Sequence, residues 1–302
     1  MPGNGENDRI SVVVMTHERC AELLRTLEHM TRIPDAPPII VVDNGSHDGT
    51  AARVRAEFPG VRLLRHDHNL GAAARNWAVE HVTTPYVAFC DDDTTWQPGS
   101  LDRAADVLDE HPSVGAVMGR CLVEPGLRED PLVPELRASP VPAPHWLPGP
   151  ALMSVMAALT AFRVDAFRAA GGFSARLWLG GEEELLALDL VASGWWLCWR
   201  EDVVVHHRPS TARNARLRRQ LGIRNTLLTA WLRRPVRDAL RRSAAVLASA
   251  PKDRCTAGAV LRTCRLAPWV VREREVVPDE VERRLRLLEE PQRNSPARRY
   301  VG

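Results

Sequence analysis

The six cysteines of this 302-residue chain (Cys20, Cys90, Cys121, Cys198, Cys255 and Cys264) form no C-x-x-C pair. That absence argues against a zinc site and for buried, reduced thiols in a cytosolic protein. The segment Met1 to Arg9 is polar and has no apolar core of a secretion signal. The longest apolar stretches, around 151–162 and 258–271, are too short or too broken by arginine to span a bilayer. The expected location is therefore cytoplasmic, with any membrane association peripheral, on the inner face. Lysine is almost missing: Lys252 is the only one, and arginine carries the rest of the positive charge. The basic tail lacks a recognised nucleic-acid-binding fold and stacking aromatics, which excludes nucleic acid as a partner.

What is present is ordinary in bulk and uneven in distribution. Hydrophobic residues make up 45% and charged residues 26%, as in soluble globular proteins, and the length suits one large α/β domain with an appendage. The net charge of +2 conceals a division. Residues 208–302 hold 22 arginines and Lys252 against nine acids, or +14, while residues 1–207 hold 17 basic and 29 acidic side chains, or −12. An acidic body and a basic tail imply different partners for the two.

Residues 10–120 alternate strand and helix. Ile10–Met15, Ile39–Val42, Val61–Leu64, Tyr86–Cys90 and Val114–Val117 are apolar runs of strand length. Between them Leu23, Leu27 and Met30 share one helical face, and an Ala-rich segment from Gly71 to about Val82 reads as helix, as does Ser100–Asp109. Continuous apolar strands separated by helices predict a mostly parallel sheet covered on both faces, with ligands at the carboxyl ends of the strands. Eight prolines in 123–150 predict a loop or lid there. A helix opening at Glu182–Glu184 and ending at Gly194, then strands Trp195–Trp199 and Asp202–Val205, complete the body. Residues 1–8 and 291–302 read as disordered.

Asp91-Asp92-Asp93 follows directly on the strand Tyr86–Cys90. Three adjacent carboxylates stay ionised together only beside water or a cation. At the rim of a sheet they offer hard oxygen ligands suited to Mg2+ or Mn2+, whose usual co-ligand is phosphate. Asp43, at the end of Ile39–Val42, should reach the same crevice, although an aspartate there can also simply cap its turn.

Taken together, the motifs resemble those of family 2 inverting glycosyltransferases with the GT-A fold, over roughly residues 8–210. The segments are Val12–Arg19, Val41–Thr50, Asn69–Asn76, Phe89–Asp93, Gly171–Phe173, Gly181–Glu183 and Val205–His207. Each is weak alone; their order and spacing carry the likeness. The resemblance implies a Rossmann-like α/β body over 9–210 with an Arg-rich helical appendage over 211–290. It implies a nucleotide-sugar donor, UDP-, GDP- or dTDP-linked, and a sugar or lipid-linked acceptor. Thr16, Glu18, Asp43 and Arg75 would contact the nucleotide, Asp91 and Asp92 its ribose or a metal-bound water, and Asp93 the metal, with Asp91 and His206 or His207 as further ligands. Glu183 would be the catalytic base; Glu182 and Glu184 stay open for that role, because the family has Glu-Asp where this chain has three glutamates.

Two other readings compete with it. A sugar-1-phosphate nucleotidyltransferase would need a Gly-rich, Lys-containing loop after Val12–Met15, and none is there. An inactive nucleotide-sugar-binding scaffold would not need the acids that are intact. In the tail, Leu217, Leu221, Leu228 and Leu232 recur at helical spacing among arginines over residues 212–234. Such a helix either lies on an anionic membrane surface or packs its apolar face on the body.

Overall fold

The computed structural model describes residues 7–210 and 215–294. In chain order the elements are β1 (Ile10–Thr16), α1 (Cys20–Met30), β2 (Ile39–Asn44), α2 (Thr50–Glu57), β3 (Arg62–His66), α3 (Ala74–Glu80), β4 (Tyr86–Asp91), β5 (Thr94–Trp96), α4 (Ser100–Glu110), β6 (Val114–Val123), β7 (Arg128–Glu129), α5 (Val133–Arg137), β8 (Thr160–Arg163), α6 (Val164–Ala169), α7 (Glu182–Ala192), β9 (Trp196–His207), α8 (Ala215–Arg233), α9 (Val236–Ser249), α10 (Arg254–Arg265), α11 (Ala267–Glu273) and α12 (Asp279–Asn294).

One sheet runs β3-β2-β1-β4-β8-β6-β9-β5, with β7 on the edge of β6. The strands β3, β2, β1 and β4 are mutually parallel. β8 runs against both β4 and β6, and β9 is parallel to β6. The carboxyl ends of β1, β2, β4, β6 and β9 therefore share one edge. Val12, Val13, Val14, Val41 and Val42 are fully buried, which is why these runs do not alternate in polarity: helices cover both faces. Leu23, Leu27 and Met30 of α1 supply one such cover. Each buried leucine contributes about 1.5–3 kcal/mol over leaving it exposed.

Several boundaries differ from the sequence reading. The two expected strands after Trp195 are one long strand, β9, whose pairing with β6 shifts register between Gly119 and Arg120. The Pro-rich segment is not loop throughout: it contains β7 and the short helix α5, where Pro134 sits in the first turn and its missing N–H costs nothing. Asn7 lies within the stretch expected to be disordered, yet its amide hydrogen-bonds to Asp102 at 2.9 Å. At the other end α12 continues through Pro291 to Asn294, past the expected start of the disordered tail. Residues 1–6 and 295–302 of those two segments lie outside the described residues.

The tail helix answers the question its sequence left open. Ten of the nineteen residues of α8 are buried. Leu228 and Leu232 pack with Leu177 and Leu185 of the body and with Trp269 and Val270. Ile223 and Leu227 pack on the other side with Val246, Ala250 and Ala259. A helix covered on both sides along this stretch packs as a core element, the second of the two readings. Among the described residues no helix is long and apolar enough to cross one.

Candidate active site

The parallel strands deliver their last residues to one crevice of about 270 Å3, bordered by Thr16, Asn44, Asp91, Asp92 and Asp93 from the sheet edge. Arg19, Asn69 and Arg75 come from the following turns and helices, Trp178 and Leu179 from the loop before α7, and Leu217, Arg218 and Leu221 from α8.

The three aspartates have three different environments. Asp91 is the most open, with its side chain 39% exposed, and accepts from Nη2 of Arg75 at 2.5 Å. Asp92 is buried: Thr16 Oγ1 donates to Oδ2 at 2.9 Å, Arg19 Nη1 to Oδ1 at 2.8 Å, and Thr26 Oγ1 to the backbone carbonyl at 2.8 Å. Burial pushes the Asp92 carboxyl up to about 7, against the pull of the Arg19 charge. Asp93, also buried, shares Arg19 Nη1 at 3.2 Å and lies 3.7 Å from Nε2 of His207. One guanidinium thus bridges two carboxylates, so positive charge already belongs at this spot.

Arg75 is 3% exposed. Its guanidinium lies over the adjoining rings of Phe89 and Phe173, at 5.9 and 5.7 Å, and its Nε and Nη1 are buried without a hydrogen-bond partner. Buried donors of this kind normally find an acceptor, and here they border the crevice.

Of the two histidines, His207 is the one brought to Asp93. Side chains alternate along β9, and His206 is turned to Glu124, 3.5 Å from Nδ1, with its Nε2 buried and unbonded. The structure thus brings His207, and not His206, beside Asp93. The ligand atoms of Cys121, Asp130 and His207 lie within 4.8 Å of one another, a grouping that linear C-x-x-C spacing cannot reveal.

Asp43 and Glu18 accept hydrogen bonds from the backbone of the loop after β2. Asp43 is fully buried; Oδ1 accepts the Ser46 N–H at 2.9 Å, closing its own turn, and Oδ2 lies 3.4 Å from Arg65 Nε. Glu18 accepts from the backbone N–H of His47 at 2.9 Å and from its ring at 3.1 Å. Neither is among the residues lining the crevice. Asn44 takes the place at the end of β2, its amide donating to Asn69 Oδ1 at 3.0 Å and to Gly71 O at 3.1 Å. Gly71 has to be glycine: its φ is +63°, and a Cβ would stand 2.2 Å from the Trp178 carbonyl.

The acids of α7 are not among the residues lining the crevice, but two of them lie near Arg75 and Asp91. Glu182 is 3% exposed and its Oε2 has no partner; burial raises its carboxyl, with Arg75 and Asp91 close enough to act on its charge. Glu183 is only partly buried. Its Oε1 accepts the Ala157 N–H at 2.6 Å. Burial, and next the neighbouring Glu182 charge, push the Glu183 carboxyl up to about 8. Sequence reasoning missed Arg19, whose place in a quoted motif was the available signal, and missed the contribution of α8 to the crevice wall.

Residues 11–169 match the family model described as glycosyl transferase family 2. The chain is 26% identical, over 79% of its length and 91% of the relative's, to an N-acetylglucosaminyl-diphospho-decaprenol L-rhamnosyltransferase of Mycobacterium tuberculosis. A pre-mycofactocin glycosyltransferase of the same species is 31% identical over 68% of this chain, which spans 44% of that relative. Among solved structures, a mannosyltransferase from Pyrobaculum calidifontis in complex with GDP-Man and Mn2+ superposes with a TM-score of 0.58 at 21% identity, covering 93% of this chain and 87% of the other. Staphylococcus aureus TarS gives 0.54 at 17%, over 96% and 54%. These two likenesses bear on the fold, a GT-A-type body with a helical C-terminal region.

Proposed function

Because this chain belongs to glycosyl transferase family 2, we propose that it is a metal-dependent, inverting glycosyltransferase that moves a sugar from a nucleotide-sugar donor to an acceptor hydroxyl. The observation that carries this reading is the convergence of Asp91–Asp93 and Arg75 on one crevice, with Glu182 and Glu183 near enough to feel the charges of Arg75 and Asp91. Single displacement needs charge neutralised on the departing diphosphate and a proton acceptor on the opposite side of the anomeric carbon.

The donor set suits a hard divalent ion, Mn2+ or Mg2+: carboxylate and imidazole at Asp93 and His207, around a position where Arg19 already supplies positive charge. Such an ion, when bound, would act as a Lewis acid on the nucleoside diphosphate. Arg75, with two unbonded donors at the crevice, would bind the donor's phosphates or base, and Asp91 its ribose. Glu183 is the base. The Ala157 N–H holds one oxygen of the Glu183 carboxylate, which leaves the other to take the acceptor proton, whereas Glu182 has no such anchor for its Oε2. Its raised proton affinity brings it near working pH, as general-base catalysis requires.

The sign of the pH dependence follows. With a pKa of about 8, roughly a tenth of Glu183 is ionised at pH 7. Release of nucleoside diphosphate from the cognate nucleotide sugar is expected to rise about tenfold per pH unit below that value and level off above it. A profile flat from pH 6 to 9 in kcat/KM would remove Glu183 from the base role. The same shift means the folded protein holds this proton more tightly than the unfolded chain does. Its contribution to stability is therefore lost as pH rises through about 8.

A lipid-linked acceptor, such as the N-acetylglucosaminyl-diphospho-decaprenol in the rhamnosyltransferase relative's name, would require approach to a membrane. Val236 and Leu240 of α9, Leu261 of α10 and Val271 of α11 are exposed, along with Arg237, Arg262 and Arg265. We assign any membrane contact to these helices, with α8 behind them. Flotation should show salt-sensitive binding to anionic vesicles and none to neutral ones; no binding to either removes the membrane contact while leaving the transferase reading intact.

A further inference from the structure

Helix α8 enters the active site through one buried pair. Asn225 is fully buried. Its Nδ2 donates to the carbonyls of Leu177 at 2.9 Å, Gly180 at 2.7 Å and Leu179 at 3.3 Å. Its Oδ1 accepts from Nε of Arg224 at 2.8 Å, which fixes the orientation of the amide. Arg224 in turn donates through Nη2 to Leu177 O at 2.5 Å.

The segment held in this way is conformationally costly. Trp178, Gly180 and Gly181 lie at φ of +63°, +83° and +93°. An aromatic residue keeps a left-handed backbone only where its surroundings enforce it. A Cβ on Gly181 would sit 3.4 Å from the Asn225 Cβ, so loop and helix touch directly. One end of the loop places Trp178 on the crevice wall, with its carbonyl accepting the Ala72 N–H at 2.7 Å. The other end is the residue before α7, whose first turn carries Glu182 and Glu183. An amide buried among apolar neighbours persists because its bonds are made, and removing it would leave the carbonyls of Leu179 and Gly180 unpaired.

We propose that Asn225 is a positioning residue for the transfer reaction: by gripping the carbonyls of Leu177, Leu179 and Gly180 it sets the turn that places Trp178 on the crevice and fixes the start of α7, where Glu183 stands, which makes α8 part of the catalytic unit. The inference rests on the reading of Glu183 as the base.

The test compares Asn225→Ala with Asp253→Ala in the full chain. Asp253 caps α10, accepting the Thr256 N–H at 2.9 Å, and pairs with Arg219 of α8; its loss loosens the same helical region without touching the loop. Measured for each are Tm, nucleoside diphosphate affinity with Mn2+, and nucleoside diphosphate release from the nucleotide sugar. Asn225→Ala is expected to lower kcat about 100-fold, the scale of a misplaced reacting group, with nucleotide affinity unchanged. Asp253→Ala should keep wild-type kcat at a comparable loss of Tm. Wild-type kcat in Asn225→Ala, or an equal kcat loss in both variants at equal Tm, overturns the positioning role. Should Asn225→Ala not fold, Arg224→Met, which removes the bonds to Asn225 Oδ1 and to the carbonyls of Leu177 and Arg176, should lower kcat in the same direction, and an unchanged kcat there is contrary. A wild-type protein that binds no nucleotide would instead sink the transferase reading itself.

Discussion

Replacing Glu183 by glutamine is expected to lower kcat by about 10²–10⁴-fold, the range for loss of a general base, while metal-dependent nucleotide binding stays as it was. The substitution isolates one property. Glutamine keeps the carbonyl oxygen that accepts the Ala157 N–H at 2.6 Å, so the side chain retains its anchor and loses only its ability to take a proton. The rising limb of the pH profile should disappear with it. Glu182→Gln serves as the comparison: Glu182 is buried beside Arg75 and Asp91, so its neutralisation acts on the electrostatics of the crevice, leaving the pH limb in place. A Glu182→Gln enzyme that loses the limb while Glu183→Gln keeps it would exchange the two assignments.

Asp93→Ala is expected to abolish both turnover and Mn2+-dependent nucleotide binding. Asp93 is buried, and Arg19 and His207 both lie against its carboxylate. Removing the carboxylate takes away the group on which a divalent ion would depend, and Arg19 keeps only Asp92 as an acidic partner. Asp43→Ala should behave differently. Its carboxylate closes the turn at Ser46 and lies outside the crevice lining, so its loss should appear first in Tm.

The body of this protein could be read from its sequence because its signals are local. Apolar runs, the Asp91–Asp93 cluster at a strand end and the acid-rich start of α7 all fall within a few residues, and parallel topology then brings strand ends together without further information. What escaped depends on direction and on distant contact. Which of His206 and His207 meets Asp93 is decided by the phase of β9, set by a register shift against β6 that no local pattern announces. Asp43 had a turn-capping role and a ligand role available from the same residues; Oδ1 closes the turn while Oδ2 makes no hydrogen bond. The leucine spacing of 212–234 announced a helix, found over 215–233 with residues 212–214 outside the described residues, but it is buried on two sides rather than one, and the polar residues Asn225 and Arg224 inside it carry no partner address. Arg19 shows the same limit: its neighbours in the sequence give no sign that it bridges two aspartates more than seventy positions away.

The most direct test of the account is a calorimetric titration of UDP, GDP and dTDP into the wild-type protein and Asp93→Ala, with Mn2+, with Mg2+ and with EDTA. The account predicts that one nucleotide binds wild type in the presence of the metal, and that binding is lost both with EDTA and in the variant. Binding of no nucleotide under any condition, or binding that ignores both the metal and Asp93, would contradict it.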